Sequence, residues 1–263
     1  MERVNLLICD LDGTLLGDDS ELDRFAGWYA QSRERFYLAY SSGRFVESIL
    51  ESISATSLPE PDAVIGGVGT EIYDVATARR APMWPPLLFG WNPHIVRAIC
   101  ESHRELTPQP ESLTSYHKVS YYGRDFSESF VARLVRRMTG FGLQASAIYS
   151  SNRDLDIIPD SVHKGAAAAF LAGRWKINSH SVFVAGDSGN DAAMFHMGFR
   201  GIVVGNAHAE LRSLVAPDIY HAKAEFAAGV LEGLDYWLQA PSNDFATTDR
   251  LREGPDASRD RLG

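Results

Sequence analysis

The run Val4-Asn-Leu-Leu-Ile-Cys9 is apolar at all but one position and shows no alternation. A strand of this composition has no face to offer to water, so it belongs in a parallel sheet covered on both sides. That placement commits the chain to an α/β design in which strands and helices alternate. The run stops at Asp10-Leu-Asp-Gly13, and Asp12-Gly-Thr14 reads as a turn. Ligands of open α/β sheets bind beyond the carboxyl ends of the strands, so both aspartates are set where a ligand is met.

The alternation continues. Leu22 to Ser32 carries Leu22, Phe25, Ala26 and Tyr29 at helical spacing, Phe36 to Tyr40 is a second apolar strand, Phe45 to Ile53 a second helix, and Ala63 to Gly66 a third strand. It returns late, with a strand at Ser181 to Gly186, a helix from about Asp191 to Met197 and a strand at Gly201 to Gly205. Between these halves come Pro82, Pro85, Pro86 and Pro93, helical patterns near Ile95 to Arg104 and Ser127 to Thr139, and strands at Lys118 to Tyr122 and Ala145 to Ser150. The expected organisation is an α+β domain, 82–159, inserted into a parallel-sheet core formed by 1–81 and 160–240. Residues 241–263 are polar and lack apolar periodicity, the pattern of a disordered tail.

No apolar run approaches the ~20 residues that span a bilayer, and no basic segment followed by an apolar stretch marks an export signal. Cys9 and Cys100 are far apart and read as buried thiols, which fits a reducing, cytoplasmic setting. The net charge of −9 argues against nucleic-acid or anionic-membrane partners, which need dense Lys/Arg patches.

A carboxylate can act as a nucleophile or as a hard oxygen ligand for Mg²⁺. Taken alone, Asp-x-Asp-Gly also occurs in calcium loops and plain turns. Gly186-Asp-Ser-Gly-Asn-Asp191 follows another apolar strand, however, and brings further carboxylates to the same sheet edge. Clustered carboxylates repel one another unless a cation joins them, and all-oxygen ligands favour Mg²⁺. Ser42 offers a hydroxyl at a strand end, Gly43 allows a backbone N–H close approach, and Lys164 stands at a helix start, so each could hold phosphate oxygens. Singly, each has a plain alternative as a turn pair or a solvated lysine. Gly66-Gly-Val-Gly69 lacks the spacing of a dinucleotide loop. His163 lacks a second histidine at zinc-like spacing and reads as local packing.

Asp10-Leu-Asp-Gly-Thr14, Ser42, Lys164 and Gly186-Asp-Ser-Gly-Asn-Asp191, in that order, resemble the four motifs of the haloacid dehalogenase-like phosphohydrolases. The resemblance implies a Rossmann-like core, Mg²⁺ dependence and an aspartyl-phosphate intermediate. The long gap between Ser42 and Lys164 is similar to that of members with a C2-type cap. Tyr37-Leu-Ala-Tyr-Ser-Ser-Gly-Arg44, Gly69-Thr-Glu-Ile-Tyr73, His117-Lys-Val-Ser-Tyr121, Ser150-Ser-Asn-Arg-Asp154 and the stretch around Asn206 resemble the sucrose-phosphate phosphatase family. Ser42 stands where that family often has threonine, which keeps the hydroxyl.

By that resemblance Asp10 is the nucleophile and Asp12 the acid and base. Ser42, Gly43, Lys164 and Asn190 hold phosphate. Mg²⁺ is held by Asp10, the Asp12 carbonyl and Asp187, while Asp191 either supports Lys164 or reaches the metal through water. Arg44, Glu71, Lys118 and Asp154 are candidates for sugar hydroxyls, with Tyr121 a stacking surface; Val119 and Tyr121 can equally mark the buried face of a cap strand, and Trp84 and Trp91 hinge or core packing. Sucrose 6-phosphate is the expected substrate. Mannosylfructose phosphate, a phosphomannomutase-like transfer, and a non-catalytic sugar-phosphate-binding partner of a synthase are the alternatives.

Overall fold

The computed structural model describes residues 3–239, so the expectation for the tail lies outside the described residues. The first part of the chain forms β1 (Asn5–Cys9), α1 (Asp19–Ser32), β2 (Phe36–Ser41), α2 (Val46–Ala55), β3 (Ala63–Gly66), β4 (Glu71–Asp74) and β5 (Arg79–Arg80). The middle forms α3 (Pro93–Cys100), β6 (Thr107–Pro108), β7 (Val119–Tyr122), α4 (Glu128–Gly140), β8 (Ala145–Ser150) and β9 (Asp154–Pro159). The last part forms α5 (Lys164–Arg174), β10 (Val182–Gly186), α6 (Ala192–Phe195), β11 (Arg200–Val203), α7 (Ala209–Arg212), β12 (Ile219–His221) and α8 (Phe226–Gln239).

The first and last parts share one sheet, ordered β12-β11-β10-β1-β2-β3-β4-β5. It is parallel from β12 to β3, and β4 and β5 add an antiparallel edge. β1 lies in its middle, with Leu7 opposite Leu38 of β2 on one side and Phe183 of β10 on the other. Leu6 to Cys9 are wholly buried, as an apolar run without alternation requires. The chain leaves β1 toward β2 and returns later to β10, so this is where strand order reverses and a crevice opens. The carboxyl ends of β1, β2 and β10 deliver Asp10, Ser42 and Asp187 to that crevice.

The middle segment builds its own antiparallel sheet, β6-β7-β9-β8, and its own apolar cluster around Val96, Tyr121, Leu134, Met138, Leu155 and Ile157. Local chemistry sets the helices. Asp18 caps α1 by accepting from Ser20 N at 2.9 Å, Asn92 and Pro93 open α3, and Ser127 caps α4. The helix expected from Asp191 to Met197 is a 3-10 turn, Gly189–Asp191, followed by the single turn of α6. The Ser188/Asp191 capping box tightens its start.

Candidate active site

Lys164 opens α5 with its side chain wholly buried, and its Nζ spends all three protons on fixed partners. It donates to Asp10 Oδ1 at 2.7 Å, to Asn190 Oδ1 at 2.7 Å and to Asp191 Oδ1 at 2.6 Å. Asp191 Oδ2 accepts from the backbone N–H groups of Asp187 at 3.0 Å and Ser188 at 3.1 Å, so this carboxylate ties the lysine to the turn after β10. Thr14 Oγ1 donates to Asp187 Oδ1 at 3.3 Å. Gly13 is required between these groups: its φ is +85°, and a Cβ there would lie 2.6 Å from Asp187 Oδ2.

Asp10, Asp187 and Asp191 each bring a carboxylate oxygen to within 4.8 Å of the others, all three buried. Burial is the main force raising the Asp10 carboxyl well above its ordinary value; Lys164 pulls it back, and Asp191 and Asp187 push it further up. Burial and then Asp191 raise Asp187 to about 7, against the pull of Lys164 and Thr14. For Lys164, burial works to lower its pKa, but the Asp10 and Asp191 carboxylates outweigh it and hold the ammonium charged. One ammonium against three carboxylates leaves negative charge that a divalent cation would balance, and the donors are the hard oxygens Mg²⁺ prefers. The residues present fit that ion.

The Asp12 side chain stands outside this cluster. Arg44 grips its carboxylate with two guanidinium N–H groups, Nε at 2.6 Å and Nη2, and sends Nη1 to Ser52 Oγ at 2.7 Å. Ser42 is buried, and Gly43 faces the Asn190 amide nitrogen, whose carbonyl partner is held by Lys164. Asp10, Asp12, Ser42, Gly43, Arg44 and Asn190 form the core wall of a cavity of about 440 Å³. The opposite wall is cap: Gln109, Lys118, Tyr122, Ser150, Arg153, Asp154 and Asp156 among others.

Of the sugar candidates, Arg44, Lys118 and Asp154 line this cavity, and Tyr121 and Glu71 lie elsewhere. Tyr121 is 1% exposed and packs in the cap core. Side chains alternate along a strand, so Val119 and Tyr121 point inward while Lys118 and Tyr122 reach the cleft. Glu71 lies outside the cavity wall, where it accepts from Val46 N at 3.2 Å and pairs with Arg80 at 2.9 Å. Sequence reasoning missed Thr14, Gln109 and Asp156. Asp156 accepts from Ser120 Oγ at 2.6 Å and pairs with Lys118 Nζ at 3.2 Å, and its placement two residues from Asp154 on β9 was the available signal. His163 is a cap, its Nδ1 accepting from Ala166 N at 3.1 Å.

Residues 3–238 match the family model described as sucrose-6F-phosphate phosphohydrolase. A mannosylfructose-phosphate phosphatase of Agrobacterium fabrum is 35% identical over 90% of this chain and 98% of its own length. Sucrose-phosphatase 1 of Nicotiana tabacum is 32% identical over 90% of this chain, which spans 60% of that longer protein. The crystal structure of the sucrose-phosphatase of Synechocystis, in complex with sucrose and phosphate, superposes with a TM-score of 0.85 at 31% identity, covering 89% of this chain and 98% of that one. With a match along nearly the whole described chain, the protein belongs to the sucrose-6F-phosphate phosphohydrolase family, within the haloacid dehalogenase-like hydrolases, and is a sugar phosphatase.

Proposed function

We propose that this chain is a Mg²⁺-dependent phosphatase that hydrolyses sucrose 6-phosphate to sucrose and phosphate through an aspartyl-phosphate on Asp10. The observation that carries the reading is the fixing of Asp10 Oδ1 by the buried Lys164 ammonium, with Asp12 held apart from it at the cleft. Lys164 orients the nucleophile, which leaves Oδ2 to attack phosphorus as the bond to the sugar oxygen breaks. Asp12 then gives its proton to the departing sugar oxygen and later takes one from the water that cleaves the acyl phosphate. Negative charge on the transferred oxygens meets the Lys164 ammonium, the Ser42 hydroxyl, the Gly43 N–H and the Asn190 amide, fixed in place before reaction. Asp10, Asp187 and the Asp12 carbonyl would hold Mg²⁺, which when bound neutralises phosphate charge. Asp191, whose oxygens already accept three protons, anchors Lys164.

On the cap side, Lys118, Asp154, Gln109 and Asp156 supply donors and acceptors for sugar hydroxyls. Mannosylfructose phosphate is the second substrate to weigh, because the Agrobacterium enzyme named for it is 35% identical along almost its whole length. Phosphate release from the two compounds, measured side by side with Mg²⁺, decides between them. Asp10→Asn should release none from either. No release by the wild-type protein from a broad sugar-phosphate panel, or an isomerised sugar phosphate without free phosphate, would overturn the proposal.

A further inference from the structure

The linker that leaves the core for the cap is anchored by Trp84. Its indole N–H donates to the Gly69 carbonyl at 3.0 Å, and its ring tilts against Phe170 with centroids 5.2 Å apart. Phe170 belongs to α5, the helix whose first residue is Lys164. Gly69 closes the 3-10 turn after β3 and is pressed against the other linker, the one returning from the cap. With φ at +104°, a Cβ on Gly69 would lie 2.2 Å from the His163 carbonyl carbon and 2.5 Å from Lys164 N. The contacts form a ring: the start of α5 rests on Gly69, Gly69 is bonded to Trp84, and Trp84 returns to α5 through Phe170. Both linkers and the first residue of α5 therefore meet at one point.

Lys164 must hold its ammonium among Asp10, Asn190 and Asp191 at hydrogen-bond distance, and small displacements of a reacting group reduce rates steeply. We propose that Trp84 is a positioning residue for Lys164: it holds the start of α5 against Gly69 and fixes the entry to the cap at the same point, so that cap movement leaves the lysine in place. The inference rests on the reading of Lys164 as the group that orients nucleophile and phosphate. A packing role alone would need the ring but not the indole N–H.

Trp84→Phe keeps an aromatic ring against Phe170 and removes the donor; Phe170→Leu keeps the donor and loosens the ring contact. The measurements are kcat and KM on the sugar phosphate best hydrolysed by wild type, the Kd of inorganic phosphate by calorimetry with Mg²⁺, and Tm. In Trp84→Phe, kcat should fall about ten- to a hundred-fold and phosphate should bind several-fold more weakly, at temperatures well below its Tm. Phe170→Leu should move both quantities the same way and less far. If Trp84→Phe folds and keeps kcat and phosphate affinity within about two-fold of wild type while only Tm drops, the proposal is overturned. If it does not fold, unchanged kcat and phosphate affinity in Phe170→Leu overturn it equally. A wild-type protein with no turnover on any sugar phosphate defeats the phosphatase reading instead, and phosphate affinity then still judges Trp84.

Discussion

Lys164 is the cation on which three buried carboxylates depend, so its removal is the most exposing change a single residue allows. Taking one partner from a buried ion cluster destabilises a protein by about 3–5 kcal/mol. Lys164→Met should lower stability by that order in chelator, regain part of it with Mg²⁺, and release no phosphate; urea unfolding with and without the ion measures this, and a variant as stable as wild type in chelator contradicts the charge argument. Asp187 gives the complementary pH dependence. Its carboxyl is raised from 3.8 to about 7, so without metal the folded state binds protons more tightly than the unfolded state. That contribution is fully present below about 4 and is lost as pH rises through about 7. Metal-free Asp187→Asn should therefore match wild type near pH 4 and be the more stable protein at pH 8, with the order reversed when Mg²⁺ is added. Identical pH profiles for the two would refute it. Asp10 and Asp187 were legible in the sequence because each directly follows an apolar strand, and Asp191 because it closes the same short motif as Asp187. For Tyr121 the sequence left a stacking surface and a buried strand face both open, because a motif does not say which face a residue takes, and the pairing of Glu71 with Arg80 was not legible because the antiparallel edge of the sheet brings the two together.

Among the elements, α5 joins stability to the site most directly, since its first residue is Lys164 and the residue before it is the cap. His163 accepts through Nδ1, so the imidazole must be neutral there, and burial lowers its pKa below 6.5 despite the opposing pull of Asp160. A depressed value means that the cap is intact above 6.5 and is lost as pH falls through the lower, folded-state value. His163→Asn offers a capping oxygen without titrating, whereas His163→Ala should lose about 1 kcal/mol at pH 8. The asparagine variant should retain wild-type stability at pH 8 and lose less than wild type at pH 5, and parallel curves for the two would remove the titration from the account. Elements with one clear period were readable: β3 and β8 have the bounds the sequence predicts, and the start of α4 is out by one residue. β5 and β6 are two residues each and carry no period at all. In α8, Gly229 and Gly233 weaken the helical signal, since glycine is a poor helix former, and burial of Val230, Leu234 and Trp237 against the sheet supplies what propensity lacks.

At the scale of the whole molecule the site is a meeting of two surfaces with different work to do. Sheet order gathers Asp10, Ser42 and Asp187 from distant parts of the chain onto one edge, and the cap places Gln109, Lys118 and Asp154 across a cavity of about 440 Å³. This division was legible in outline, because the proline-bearing interruption of the strand-helix alternation announces an insertion; which cap residues face the core depends on strand register, which no local pattern states. The division can be tested kinetically. Groups that touch only the sugar contribute binding shared by the ground and transition states, so their loss should raise KM and spare kcat. Asp154 accepts from Gln109 Nε2 at 2.9 Å on the cap wall, well separated in sequence from the nucleophile. Gln109→Ala and Asp154→Asn should each raise KM for the disaccharide phosphate by about ten-fold, with kcat within a few-fold of wild type and the affinity for inorganic phosphate unchanged. Asp12→Asn should do the reverse, lowering kcat by about 10²–10⁴-fold without raising KM, because the protons it moves matter only as the sugar oxygen departs and as water attacks the acyl phosphate. Cap variants that lower kcat as much as they raise KM would show that the cap also shapes the transition state, and the two surfaces could no longer be assigned separate work.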